Sequence, residues 1–345
     1  MNKIKVLIVD DNPVICKLFS SRLNQEDDIE VVGVASDPYV AREKIVALKP
    51  DVITLDIIMP RMDGLTFLGK LMKHYPLPVI IVSALTKEGG DLALAAMDQG
   101  AVDVIAKPSE NYSTNDMIVQ LVDKIRATAQ IHTPDFGRRE KQIGKRKAPR
   151  PTTPLIQKTI KVIAIGSSTG GTAALREVLP SLPPSAPGIL IVRHMPPNFT
   201  TSFAKSLNKI CRITVKEAED GDAVLPGLAL LAPGNFHMVL RQANSGYHVQ
   251  IGGGPLVCHQ RPSVDVLFNS VAAVCGSKAL GVILTGMGYD GAGGMLTMHN
   301  AGAKNISQDK ESCVVFGMPE AAIAAGGVDK IVPLENISQT ILEML

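Results

Sequence analysis

Two sets of residues in this 345-residue chain have types and spacing that could do chemistry together. The first is Asp10-Asp11, Asp56, Ser83 and Lys107-Pro108, each falling where a strand-like run ends. Three carboxylates converging in one crevice repel unless neutralised, and an all-oxygen donor set of this kind suits Mg²⁺. With Mg²⁺ and Lys107 neutralising charge, a phosphoryl group could move onto the Asp56 carboxylate, and Ser83 could bind one of its oxygens. Taken singly the pieces have a plainer use: Asp11 and Asn12 can cap a helix and Lys107-Pro108 can make a turn.

The second set opens with Gly166-Ser167-Ser168-Thr169-Gly170-Gly171, between a strand-like run and a helical one. A Gly-rich turn in that position either cradles a phosphate at the helix N-terminus or presents a serine, as in the G-x-S-x-G elbow. Gly166, Ser168 and Gly170 fit the elbow. The P-loop form fails, because Thr172 rather than lysine follows Gly171. A dinucleotide site calls for an acid about 20 residues further on, and none occurs between Glu177 and Glu217. Arg193 could instead take a 2′-phosphate, which keeps an NADP-type binding module as an alternative.

If Ser168 is a nucleophile, it needs a base and an orienting acid. The run Ile189 to Val192 delivers Arg193-His194-Met195-Pro196-Pro197 at its end, and Gly281 to Leu284 delivers Thr285-Gly286-Met287-Gly288-Tyr289-Asp290-Gly291. His194 and Asp290 therefore reach the same edge as Ser168. His237, His259 and His299 compete for the base, and the chain order Ser, His, Asp differs from the Ser, Asp, His order of α/β-hydrolases.

Something must hold these residues. From Ile4 to about Thr128 the chain alternates β-branched runs with helix-period segments, the pattern of a parallel sheet covered on both faces. The expected strands are Val6 to Asp10, Val31 to Ala35, Val52 to Asp56, Val79 to Ser83 and Val102 to Ala106. Asn12-Pro13 and Ser36 or Asp37 before Pro38 start the first two helices. In a doubly wound sheet of this kind functional residues collect beyond the carboxyl ends of the strands.

Between about Ile131 and Thr159 periodicity disappears among Pro134, Pro149, Pro151 and Pro154, which reads as a linker. Residues 138–150 hold Arg138, Arg139, Lys141, Lys145, Arg146, Lys147 and Arg150 against Glu140 alone, a solvated tether or a docking strip for an acidic surface. A second α/β segment starts at Lys161. Its sheet reads as mostly parallel, with an antiparallel hairpin excursion around Leu228 to Ile251, where Ala232-Pro233-Gly234-Asn235 and Asn244-Ser245-Gly246 separate strand-like runs. The expected domains are 1–128, a linker 129–158, and 159–345.

Composition narrows the function classes. Apolar residues make up 46% and charged residues 20%, so both halves can bury cores. The formal net charge of +2 favours neither nucleic acid nor an anionic membrane, and the basic residues gather in the linker rather than on a recognition helix. Cys16, Cys211, Cys258, Cys275 and Cys313 lie far apart with no C-x-x-C pair, which fits reduced thiols. The N-terminus has no signal-peptide pattern and no apolar run reaches the roughly 18 residues that span a bilayer, so the chain is expected to be soluble and cytoplasmic.

With these residues in view, the N-terminal segment, about 3 to 128, resembles the response-regulator receiver domain through Asp10-Asp11, Leu55-Asp56-Ile57-Ile58-Met59-Pro60, Met62-Asp63-Gly64, Ser83-Ala84 and Lys107-Pro108. The resemblance implies a flavodoxin-like fold, Asp56 as phosphoacceptor, Asp10, Asp11 and Asp56 as Mg²⁺ ligands, and Ser83 with Lys107 sensing the phosphoryl group. Val104 stands where many receivers place an aromatic switch residue. The C-terminal segment resembles the chemotaxis protein-glutamate methylesterase family through Gly166-Ser167-Ser168-Thr169-Gly170-Gly171, His194-Met195-Pro196-Pro197-Asn198-Phe199-Thr200 and Leu284-Thr285-Gly286-Met287-Gly288-Tyr289-Asp290-Gly291. Ser167 varies that family's usual alanine.

That likeness implies Ser168 as nucleophile, His194 as general base and Asp290 as orienting acid, acting on glutamate γ-methyl esters of methyl-accepting chemotaxis receptors with release of methanol. A chemotaxis histidine kinase would be the phosphodonor, no cofactor beyond the receiver's Mg²⁺ is implied, and glutamine deamidation through the same acyl intermediate is a further possibility. Backbone N–H groups of Thr169 and Met287 are the expected oxyanion donors, because a Gly-rich turn lets backbone approach the substrate.

Overall fold

In the computed structural model the alternating runs become alternating strands and helices. The structure describes residues 3–108, 114–131, 160–244 and 246–345. It divides into two compact units, residues 1–146 and 147–345, each described separately below. The basic stretch 138–150 lies outside the described residues. No helix among the described residues is long and apolar enough to cross a membrane.

The first unit is a five-stranded sheet of β1 (Ile4–Val9), β2 (Ile29–Ala35), β3 (Val52–Asp56), β4 (Val79–Ser83) and β5 (Asp103–Ala106). Its order is β2-β1-β3-β4-β5, with every pair parallel. All residues of β3, β4 and β5 are buried, as helices on both faces require. The helix Pro13–Leu23 starts because the Asn12 side chain accepts from Val14 N–H and proline at the first position needs no donor partner. Asp37, not Ser36, caps the helix Pro38–Leu48. Phe19 and Leu23 on the first of these helices, with Leu121 and Ile125 on Thr114–Thr128, close one face over Val6, Ile8 and Val52. β1 ends at Val9 and β5 at Ala106, so Asp10, Asp11 and Lys107 sit just past the strand ends.

The second unit is a seven-stranded sheet of β6 (Val162–Ser167), β7 (Gly188–Arg193), β8 (Thr214–Glu217), β9 (Leu228–Leu231), β12 (Ala279–Ile283), β13 (Lys304–Gln308) and β14 (Lys330–Val332). Its order is β14-β13-β12-β6-β7-β9-β8, parallel throughout. The antiparallel hairpin is β10 (His237–Ala243) with β11 (Gly246–Gly252). Leu228–Leu231, expected at the start of that hairpin excursion, instead runs parallel between β7 and β8. The turn-like Ala232-Pro233-Gly234-Asn235 is where the chain leaves the sheet: a Cβ on Gly234 would lie 2.4 Å from Pro197 N and 2.8 Å from Met195 O.

β6 opens this unit and lies between β7 and β12, so the chain winds away from it in both directions. The crevice beyond the carboxyl ends of β7, β6 and β12 is thus the topological switch point, where such sheets bind their ligands.

Close backbone packing beside Asp56 gives a test of the first unit. A Cβ on Gly64 would lie 2.3 Å from Asp56 O and 2.7 Å from Ile57 Cα, both backbone atoms that cannot swing aside. Gly64→Ala is expected to lower the unit's unfolding free energy by about 1–3 kcal/mol, as overpacking does; urea denaturation of the variant, with an unchanged midpoint as the contrary result, checks it.

Candidate active site and acidic crevice

Ser168 follows β6, His194 follows β7, and Asp290 lies in the turn after β12, so three adjacent strands supply the three side chains. The register pairs Gly166 with Val192 and Ser167 with Arg193, and His194 N–H donates to Ser167 O at 3.2 Å, which carries Ser168 and His194 out side by side. Ser168 is 6% exposed, His194 6% and Asp290 2%. The turn is tight: Gly171 N–H donates to Ser168 O at 2.7 Å, and Gly170 takes φ 81°, open to glycine at no steric cost. A Cβ there would also lie 2.5 Å from Val314 Cβ.

His194 Nε2 is 2.8 Å from Asp290 Oδ2. Asp290 also accepts from Val264 N–H at 2.7 Å, Ser263 Oγ at 2.7 Å and Asp265 N–H at 3.0 Å. Burial pushes the Asp290 carboxyl up, but the His194 ring and the N–H groups of Asp265 and Val264 outweigh it and hold the group below the usual carboxylate range. An ionised carboxylate only accepts, so Nε2 carries the proton and Nδ1 is the ring's basic nitrogen.

Two backbone segments press on Ser168. Gly286 is so close that a Cβ there would lie 2.8 Å from Ser168 Cβ and 3.0 Å from Ser168 N. Thr285 Oγ1 lies 3.1 Å from both Thr169 O and Val315 O, and accepts from Val315 N–H at 2.9 Å. Thr169, next along the chain, is buried, and Met287, which follows Gly286, is half-buried. Of the competing histidines, His237 is committed elsewhere, with Nε2 2.9 Å from Pro255 O and Nδ1 accepting from Ser263 N–H at 3.2 Å. His299 lies 3.5 Å from Asp329. Arg193, weighed as a phosphate ligand, is 0% exposed and donates to His194 O at 2.9 Å, so its guanidinium is engaged with the backbone.

In the first unit Lys107 Nζ stands 2.7 Å from Asp56 Oδ2 and 2.9 Å from Asp10 Oδ2. Asp56 Oδ1 accepts from Ile58 N–H at 3.3 Å, and the Ser83 hydroxyl lies 3.4 Å from Gly89 O. Burial raises the Asp56 carboxyl above its ordinary value even against Lys107, and Lys107 is raised by its two carboxylates against the pull of burial. Oxygens of Asp10, Asp11 and Asp56 all lie within 4.8 Å of one another. One lysine against three carboxylates leaves negative charge uncompensated, and the donors are all oxygen, so the residues present fit a divalent cation such as Mg²⁺. Val104, where an aromatic switch residue is common in receivers, is buried in β5.

Comparison with known proteins decides the family. The chain matches the CheB methylesterase family model over residues 163–341 and the response regulator receiver domain model over residues 6–119. The chain belongs to the CheB methylesterase family. It is 58% identical, over 100% of both chains, to a protein of Syntrophus aciditrophicus named protein-glutamate methylesterase/protein-glutamine glutaminase 2. It is 49% identical to the Yersinia pestis protein-glutamate methylesterase/protein-glutamine glutaminase, over 100% of this chain and 98% of that one. The crystal structure of the Thermotoga maritima CheB methylesterase catalytic domain covers 54% of this chain and 99% of its own, with 41% identity and a TM-score of 0.53.

Within this CheB methylesterase framework, sequence reading missed Ser263, Asp265 and the N–H of Val264, all gathered on Asp290. Ser263 carries a visible helix-start signal, since its side chain caps Val264–Cys275, but nothing in the spacing shows that it faces a residue 27 positions away.

Two tests follow from this geometry. Ser167 Oγ is buried with no hydrogen-bond partner, wedged where a Cβ on Gly171 would lie 2.7 Å from it. Ser167→Ala removes an unsatisfied hydroxyl and is expected to leave stability unchanged or raise it by about 1 kcal/mol, read from thermal melts; a clear loss would show that the hydroxyl has a partner. The second concerns Asp56. Because its folded carboxyl is raised, ionisation opposes folding, and its contribution to stability is lost as pH rises through the folded value. Asp56→Asn is therefore expected to raise the melting temperature at pH 7 without divalent cation, and the gain should shrink as pH falls toward the ordinary carboxylate range.

Proposed function

We propose that this chain hydrolyses γ-methyl esters of glutamate side chains on the cytoplasmic helices of chemoreceptors, releasing methanol, and that phosphorylation of Asp56 regulates it in chemotactic adaptation. The observation that carries the reading is the buried His194–Asp290 pair beside Ser168 on three adjacent strands, in a chain 58% identical over its whole length to a named protein-glutamate methylesterase/protein-glutamine glutaminase.

Ser168 Oγ attacks the ester carbonyl carbon while His194 Nδ1 takes its proton. The ring is used in the sense opposite to chymotrypsin's, in which Nε2 faces the serine and Nδ1 the aspartate. Asp290 holds the tautomer and stabilises the imidazolium that forms. The tetrahedral oxyanion takes N–H groups of Thr169 and Met287. Collapse breaks the C–O bond, His194 returns the proton to the leaving methoxide, and methanol departs. Water, deprotonated by the same nitrogen, then attacks the acyl-serine to give glutamate and free Ser168. With a glutamine side chain the same sequence releases ammonia, which is the deamidase reading.

The receiver reading assigns Asp10, Asp11 and Asp56 to Mg²⁺, which when bound supplies charge neutralisation for phosphoryl transfer. Asp56 accepts the phosphoryl group from a chemotaxis histidine kinase, and Lys107 and Ser83 hold its oxygens. The domain limits that go with this reading are a receiver over 1–128, a linker over 129–158 and a catalytic domain over 159–345, in a soluble cytoplasmic protein.

Methanol release from methylated receptor membranes tests the whole reading. Ser168→Ala and His194→Ala are each expected to reduce it by on the order of a thousandfold or more with the fold intact. Near-normal release by either variant sinks the assignment.

A further inference from the structure

Two helix N-termini meet behind Asp290, and each is closed by a carboxylate from the other's segment. Asp290 takes the N–H groups of Val264 and Asp265, the first two residues of the helix Val264–Cys275. Asp265 in return accepts from Gly294 N–H at 2.6 Å, in the first turn of the helix Ala292–Asn300. The helix Ala292–Asn300 has no cap of its own, since its N-cap is Gly291 and its first turn holds no acid. Its leading N–H groups need an acceptor from outside, and Asp265 is that acceptor.

The exchange locates the turn that carries Asp290. Gly291, the next residue, sits at φ 97°, and a Cβ there would lie 2.7 Å from Val264 Cγ1 and 2.9 Å from Ile283 Cδ1. Packing fixes the turn on that side at Gly291, and the Asp265 carboxylate tethers the helix that follows it at Gly294. The titratable groups around Asp265 are Asp290, whose Oδ1 accepts from Asp265 N–H at 3.0 Å, and Cys258, with Sγ 3.9 Å from Asp265 Oδ2.

We infer that Asp265 is a positioning residue for the hydrolysis: by holding Gly294 at the start of the helix that follows the Asp290 turn, it keeps Asp290 on His194. This rests on the triad reading above. Displacing a catalytic group by about 1 Å costs up to roughly a hundredfold in rate, so the effect is measurable.

Full-length Asp265→Ala, Asp265→Asn, Asp290→Asn and Asp329→Ala proteins are compared in methanol release, in melting temperature, and in the low-field proton NMR signal of the His194–Asp290 hydrogen bond. Asp329 is a stability control, because it holds Asn305 N–H at 2.8 Å at the start of β13, the sheet edge opposite the site. Asp265→Ala is expected to lower kcat by on the order of ten- to a hundredfold, with KM within about twofold, and to shift or broaden the low-field signal. Asp265→Asn, which keeps one acceptor oxygen, should lose less than Asp265→Ala on both readouts. Asp329→Ala should lower the melting temperature without moving kcat or the signal. If Asp265→Ala melts earlier yet keeps wild-type kcat and signal while Asp290→Asn is impaired, Asp265 only caps a helix and the inference is overturned. Full turnover by Asp290→Asn would bring down the triad reading and this inference with it.

Discussion

A carboxylate withdrawn from water must be compensated by donors, and Asp290 has four within 3.0 Å. They come from β7's end, from a serine hydroxyl and from a helix N-terminus, whose N–H groups and dipole both favour an anion. Much of the second unit's architecture serves this one buried charge. The parallel sheet brings β7 and β12 to either side of β6, the helix Val264–Cys275 points its first turn at the crevice, and Gly286 and Gly291 let backbone pass where a side chain would collide. Keeping Asp290 ionised is also what sets the proton on His194 Nε2 and leaves the other ring nitrogen basic.

The first unit treats its buried carboxylate in the opposite way. Asp56 lies under the same kind of strand edge, yet its neighbours are Lys107, one N–H and two further carboxylates, and its carboxyl is raised where that of Asp290 is lowered. A site that under-compensates its charge has room for a cation and for a transferred anionic group. One that compensates fully is suited to holding a proton donor in one orientation. The two crevices share a topology and differ in donor count.

Most of this was legible in the chain. Alternating β-branched runs and helix-period segments marked the doubly wound sheet, Asn12-Pro13 and Asp37-Pro38 marked helix starts, and the Gly-rich turns after β6 and β12 marked where backbone and substrate could approach. The motifs at strand ends carried Ser168, His194 and Asp290 because a parallel sheet aligns its carboxyl ends. What did not read out was pairing. Leu228–Leu231 looks like the start of a hairpin because its own sequence does not say which neighbours it meets, and only the register places it between β7 and β8. Likewise Asp265 looks like an ordinary acid in a helix's first turn, and its bond to Gly294 crosses 29 residues of sequence.

Drawing the site from β6, β7 and β12 also sets when it can exist during synthesis. A chain emerging from the ribosome releases Ser168 and His194 first, then the hairpin and the helix Val264–Cys275, and Asp290 last of the set. The receiver, whose own sheet is complete by residue 106, is free to fold well before that point. A nascent chain thus carries a complete receiver sheet before the strand that leads to Asp290 joins β6 and β7.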